Sequence, residues 1–367
     1  MPRRFLVAPD KFKGSLGAEE AAAAIAAGIR RMEPDAEIDF CPIADGGEGF
    51  TETVHSALGG RWITCDAVDA RGRPISSRYL LTEDDTAVIG MAETAGIWRL
   101  TNDERHPLTA TTRGVGMQIR HAVERHRSAR FVLGIGGSAT NDGGSGMAAE
   151  LGIRFLGVDG AAVDPLPANL PDVREIRMLE RIPLPSITAA CDVDNLLLGP
   201  RGATAVFSRQ KGATEDDRPR LESALSHLVS LTDGVREAET PGAGAAGGLG
   251  FGLLRFAGAR LVPGFELLAG VLGLEQRIQD ADLVITGEGS LDEQSLGGKG
   301  PVSLAKMAGR HGVPVLAYCG DADEVAQRCG LFAGIHPLTG TGLPLDALMT
   351  EAASVLTALV ASTLPVR

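Results

Sequence analysis

The sequence predicts an α/β fold: a Rossmann-like parallel-sheet domain formed by both chain ends, with a second α/β domain inserted between them. Three observations carry this expectation. Short apolar runs alternate with helical patterns at both ends, the order that builds a parallel sheet with crossover helices. The middle of the chain reads differently, beginning with irregular strands and turn signals. The length, 367 residues, exceeds the roughly 150 residues of an ordinary domain. The expected division is 1–60 with 270–367 as the Rossmann-like domain, 61–269 as the insertion, and an active site in the cleft between them.

The elements justify themselves in order. Phe5–Ala8 is a short apolar strand, followed by the loop PDKFKGS. LGAEEAAAAIAAGIRRM is Ala-rich and helical, with Ser15 as a candidate N-cap and Glu19 and Glu20 where the helix dipole favours them. Ala36–Ile43 is a second strand, and Phe50–Leu58 a helix. Arg61–Leu81 reads as irregular strands with ARGRP as a turn. Ala87–Ala92 is a strand, Arg113–His126 a helix, Ser186–Cys191 a strand. Helices are expected near Asp217–Leu231 and Gly247–Ala257. Toward the end, Asp282–Thr286 is a strand, GEGSLDEQSLGGKG a loop and Val302–His311 a helix. Pro314–Tyr318 is a strand, Asp323–Cys329 a helix, and Leu345–Leu364 a last helix with apolar residues at helical spacing.

Composition narrows the function. A net charge of −12 argues against a non-specific nucleic-acid binder or an anionic membrane surface. Five Cys with no C-x-x-C pair argue against a disulfide framework or zinc site and suit a reducing cytosol. The apolar run FLVA is too short for a signal peptide, and no stretch is long enough to span a bilayer. The expectation is a soluble cytoplasmic protein.

Strand after strand ends in Gly with an acidic residue: Asp10; Asp45 and Glu48; Asp142; Asp192 and Asp194; Glu288 and Asp292. Ligands of α/β sheets bind outside the carboxyl ends of strands. Gly admits close backbone approach, and a following helix offers N–H groups to an anion. Carboxylates there suit Mg²⁺, which commonly bridges substrate phosphates. Lys11, Lys13, Lys211 and Lys299 lie in similar loops and suit phosphate charge. The competing reading is that each Asp merely forms a turn or caps a helix. Gly297, Gly298 and Lys299 do not make a Walker A loop, because Gly300 replaces the hydroxyl residue. Gly242, Gly244 and Gly247 form G-x-G-x-x-G, but the preceding REAETP is no buried strand, which counts against a dinucleotide-binding dehydrogenase.

Taken together, APDKFKGSL, PIADGGEG, GIGGSATNDGGSGMAAELG, CDVDNLLLGPRGA with QKGA, GAGAAGGLG and ADLVITGEGSLDEQSLGGK resemble, in order and spacing, the glycerate kinase family. The resemblance spans Phe5 to about Pro337 and implies two α/β domains and transfer of phosphate from ATP, with Mg²⁺, to D-glycerate. It implies the 2-hydroxyl as acceptor, with the 3-hydroxyl as the alternative. Five positions depart from the family pattern: Lys11 stands where Ser is frequent, Leu196 for Pro, Ser208-Arg209 for Gly-Pro, and Ser290 for Arg. Loss of a cation at Ser290 is expected to weaken a phosphate site.

Within that resemblance the roles are these. Asp192 accepts the hydroxyl proton, with Asp194 as runner-up, and Lys13, assigned with it to catalysis, adds charge for the glycerate anion. Ser138, Thr140, Asn141 and Asp142, with Gly46 and Gly47, suit a compact hydroxy acid. Gly244, Gly247, Gly248, Gly287, Glu288, Lys299 and Lys211 are assigned to the nucleotide. Glu288, Asp292 and Asp45 are assigned to the metal. Rival readings are a kinase of another small hydroxy acid and a non-catalytic ligand-responsive regulator. No nucleic-acid or membrane partner is expected, and the chain is expected as a monomer or homodimer.

Overall fold

The computed structural model describes residues 2–43, 49–178, 181–296 and 300–365. It is a mixed α/β chain. The strands, in chain order, are β1 (Arg4–Val7), β2 (Glu37–Phe40), β3 (Arg61–Val68), β4 (Pro74–Leu81), β5 (Thr86–Gly90), β6 (Arg130–Gly134) and β7 (Arg154–Leu156). They continue with β8 (Glu175–Arg177), β9 (Ser186–Ala190), β10 (Arg260–Val262), β11 (Leu283–Leu291), β12 (Val315–Ala322) and β13 (Gly334–Pro337). The chain divides into two compact units, one of Met1–Asp45, Glu52–Leu58 and Leu268–Arg367, the other of Gly46–Thr51 and Gly59–Leu267.

The first unit holds a five-stranded sheet in the order β13-β12-β11-β1-β2, with every pairing parallel. The inner strands are near-continuous apolar runs, as strands covered on both faces must be. Phe5, Val7, Leu283, Ile285 and Tyr318 lie in one core with Ile25, Ile29, Leu356 and Val360. The helices Ala18–Met32 and Ala352–Thr363 meet through small residues. A Cβ on Gly28 would lie 2.6 Å from Val360 Cβ, so glycine sets this helix spacing. From β1 the chain steps one way to β2, while β11, β12 and β13 step the other way. The point where the order reverses lies between β1 and β11. In such sheets the crevice at that point, outside the carboxyl ends, is where ligands bind.

The second unit holds a six-stranded sheet in the order β10-β9-β6-β5-β4-β3. β3, β4 and β5 form an antiparallel meander; β5, β6, β9 and β10 run parallel. β7 and β8 pair separately. The helix Arg113–His126 covers the sheet with Val115, Ile119 and Ala122, against Tyr79, Ile89, Phe131 and Leu133.

Several elements differ from the sequence expectation. The first long helix is capped at Gly17, whose N–H donates to Glu20 Oε2 at 2.9 Å; Ser15 instead closes a turn onto Phe12 O. β11 runs on through GEGSL, because Gly287 lets it pass so close to β12 that a Cβ there would be 1.8 Å from Tyr318 O. The last helix is two, Leu345–Thr350 and Ala352–Thr363, separated at Glu351 (φ −112°, ψ 20°). In the helix Ala245–Gly252, Ala246, Gly247 and Gly248 are left-handed, and the wider turn Leu253–Ala257 follows.

Candidate functional site

In the first unit, candidate groups gather at the carboxyl ends of β1 and β11. Asp10 N donates to Gly287 O at 2.8 Å, which joins the two loops. Gly287 is buried, and Gly289 packs against the Phe12–Lys13 backbone, where a Cβ would lie 2.9 Å from Lys13 N. Lys13 is exposed. Glu288 is partly buried on β11, beside Cys319 of β12, and its charge helps burial push the Cys319 thiol up to about 12. Asp292 Oδ1 accepts Ser295 N at 2.9 Å and Ser295 Oγ at 3.2 Å, so it caps the short helix Glu293–Leu296. Asp45, Gly46, Gly47 and Lys299 lie outside the described residues.

The second unit builds a turn after β6. Ser138 is 7% exposed, and Thr140, Asn141, Asp142 and Ser145 are fully buried. Asp142 accounts for all of its own hydrogen bonding within the fold. Its Oδ2 accepts Thr112 N at 2.7 Å, Thr112 Oγ1 at 2.8 Å and Gly146 N at 3.2 Å, and its Oδ1 accepts Gly144 N at 3.1 Å. Thr112 Oγ1 in turn accepts Met147 N at 2.9 Å. One carboxylate thus ties the starts of the helices Arg113–His126 and Ser145–Glu150 together. Burial pushes its pKa upward, while these donors hold it down. Within the fold Asp142 frames this turn.

Thr140 and Asn141 are held from two sides. Asn141 Nδ2 donates to Thr204 Oγ1 at 3.2 Å, whereas Asn141 Oδ1 is buried and accepts no hydrogen bond from a described residue. Lys211, assigned from sequence to the nucleotide, lies at this turn. It is 2% exposed, and its Nζ donates to Ser138 Oγ at 2.7 Å and Thr140 O at 2.8 Å. Burial lowers its pKa to about 7, against the opposing charge of Asp142.

The glycine loop also serves this turn. A Cβ on Gly247 would lie 1.9 Å from Thr140 O, and one on Gly248 2.8 Å from Gly143 Cα. Gly244 packs on Leu196 O, where a Cβ would be 2.2 Å away. All three glycines are buried, and their need for hydrogen in place of Cβ comes from neighbouring backbone. Asp192 lies two residues beyond β9 and is exposed; its Oδ1 accepts Gly264 N at 2.7 Å, at the start of the helix Gly264–Leu272. Asp194 lies 3.6 Å from the Arg201 guanidinium in an exposed ion pair. Thr112 and Thr204 escaped the sequence reading. The position of Thr112 just before a helix is the one local signal that marks it.

Among the described residues no group of three or more His, Cys, Asp or Glu is set to hold a metal, and no helix is long and apolar enough to cross a membrane. Oxygen donors, lysines and glycine turns at strand ends of an α/β chain are the equipment of a small-molecule phosphotransferase. The glycerate kinase family pattern matches residues 5–366. The glycerate kinase of Bacillus subtilis (strain 168) is 40% identical over 361 residues, covering 95% of this chain and 94% of that protein. The glycerate 2-kinase of Escherichia coli (strain K12) is 37% identical over 353 residues, covering 92% and 91%. A crystal structure from Salmonella typhimurium LT2, provisionally named glycerate kinase 2, superposes with a TM-score of 0.88 at 35% identity, covering 99% of this chain and 97% of that one. The chain belongs to the glycerate kinase family.

Proposed function

We propose that this enzyme transfers the terminal phosphate of ATP, with Mg²⁺, to the 2-hydroxyl of D-glycerate, giving 2-phospho-D-glycerate and ADP. The observation that carries the reading is the family match across residues 5–366, which takes in every motif described above. The Escherichia coli relative, named a glycerate 2-kinase, supports the choice of hydroxyl. The charge balance, the absence of a long apolar helix among the described residues and the reduced cysteines support a cytoplasmic location, with ATP and D-glycerate as the partners of a monomer or homodimer.

The donor set fits the proposed cofactors. Asp10, just beyond the carboxyl end of β1, and Glu288, in the second half of β11, carry carboxylate oxygens, the ligand class Mg²⁺ prefers. Asp292 is a weaker candidate because its Oδ1 caps a helix. If Mg²⁺ binds here, Asp10 and Glu288 would hold it, and it would supply positive charge to offset that of the transferring phosphate. Lys13 and Asp10 supply the loop that meets the phosphates in this reading. Asp192, held by Gly264 N, accepts the acceptor hydroxyl proton as the new bond forms. Ser138 and Asn141 hold the hydroxy acid.

The test is ADP release from the purified chain with Mg²⁺, ATP and D-glycerate, with the product passed to enolase. ADP release with direct enolase conversion supports the 2-kinase. ADP release without conversion moves the acceptor to the 3-hydroxyl. No ADP release from folded protein defeats the reading.

A further inference from the structure

We propose that Lys211 is a positioning residue for the hydroxy acid and not a nucleotide ligand: its ammonium fixes Ser138 Oγ and the Thr140 carbonyl so that the turn meets substrate in one arrangement. The inference rests on the D-glycerate reading above.

Four observations carry it. Lys211 is 2% exposed, so its ammonium is enclosed by protein where a phosphate-binding lysine would present it to an incoming nucleotide. Two of its three N–H donors are spent on one turn, at 2.7 Å and 2.8 Å. Its backbone is fixed as well. Gly212 is left-handed (φ +92°), and a Cβ there would lie 2.1 Å from Arg105 O, so the Arg209–Lys211 turn is locked against a neighbouring segment. Finally, the turn is left with complementary groups. Ser138 Oγ, taking the ammonium's hydrogen bond, keeps its own proton for a second partner. Asn141 Oδ1, buried and accepting from no described residue, is an acceptor. One donor and one acceptor three residues apart in one turn suit the carboxylate and hydroxyl of an α-hydroxy acid. An ammonium that held the donor loosely would blur that match.

Lys211→Met tests this, because Met fills the slot without donors. Thermal unfolding first establishes that the variant folds. Assayed near pH 6, where folded Lys211 carries its proton, the expected result is a KM for D-glycerate raised about tenfold or more, the scale of losing hydrogen bonds from a charged donor, with the KM for ATP within about twofold of wild type. A raised ATP KM with an unchanged D-glycerate KM overturns the proposal. So do two unchanged constants, and so does an equal rise in both, which a merely structural role would give. If Lys211→Met does not fold, Ser138→Ala decides, since it removes the positioned hydroxyl without burying anything. D-glycerate KM should then rise severalfold at constant ATP KM, and no rise overturns the proposal. Wild-type protein that neither binds nor phosphorylates D-glycerate would remove the parent reading and this one with it. That failure is distinct, because it appears before any variant is compared.

Discussion

Replacing Asp142 by Asn separates a framing carboxylate from a substrate-binding one. The carboxylate accepts four hydrogen bonds, three at Oδ2 and one at Oδ1. Asn keeps one acceptor. The better amide orientation places its oxygen at the Oδ2 position and turns its NH₂ toward Gly144 N–H, so that bond is lost and two donors oppose. Hydrogen bonds to a charged group contribute about 1.5–3 kcal/mol and neutral ones about 0.5–1.5, so three weakened bonds and one lost bond come to roughly 6 kcal/mol. The buried carboxylate carries a desolvation cost that Asn avoids, which returns part of this. The expected net loss is about 2–4 kcal/mol. It should appear as a lower urea midpoint at unchanged slope. A stability within about 0.5 kcal/mol of wild type, together with a large rise in the KM for D-glycerate, would refute the framing role and put Asp142 in contact with substrate.

Three further outcomes are expected. Lys211 has its folded pKa lowered from 10.5 to about 7, so below pH 7 both states carry the proton and the burial penalty is complete. Above it only the unfolded chain does, so stability should rise with pH from 7 upward, the slope approaching about 1.4 kcal/mol per pH unit near pH 8. Lys211→Met should abolish that slope, and an unchanged slope would show that Lys211 does not titrate there; above that window the raised thiols of Cys41, Cys65 and Cys319 act in the opposite sense. Gly247→Ala should lose several kcal/mol of stability, measured by thermal unfolding, because Cβ would lie 1.9 Å from Thr140 O at a φ of +67°. Asp192→Asn retains an Oδ1 acceptor for Gly264 N, so folding should hold while kcat falls about 100-fold or more. Near-normal turnover in that variant would remove Asp192 as the proton acceptor.

What the sequence made legible follows from how local the cause is. The helices Phe50–Leu58 and Arg113–His126 were expected from the sequence, and both occur with those bounds. The strands β7, β8, β10 and β13 have three or four residues each and exist through pairing with distant segments, so they leave little pattern. GEGSL reads as a loop because glycine usually breaks strands. Here Gly287 is what allows β11 to pass Tyr318 closely. The small polar residues of the 138–145 turn were visible as a group, but their division of labour was not. Asp142 is satisfied from Thr112, thirty residues earlier, and Ser138 is held by Lys211, seventy-three residues later. Neither partnership has a local signature. The G-x-G-x-x-G at Gly242, Gly244 and Gly247 has the spacing of a dinucleotide loop. Its glycines instead make room for the backbones of Thr140 and Leu196 and for the side chain of Cys191.

The most direct measurement of the central claim is the proton-coupled ³¹P NMR spectrum of the product formed from ATP and D-glycerate by the purified chain. A phosphate on the 2-oxygen is next to a carbon bearing one hydrogen, and its resonance should be a doublet. That is the predicted result. A triplet, from the two hydrogens beside the 3-oxygen, would contradict the assigned hydroxyl. A spectrum with ATP alone, unchanged while the protein remains folded, would contradict the proposed activity.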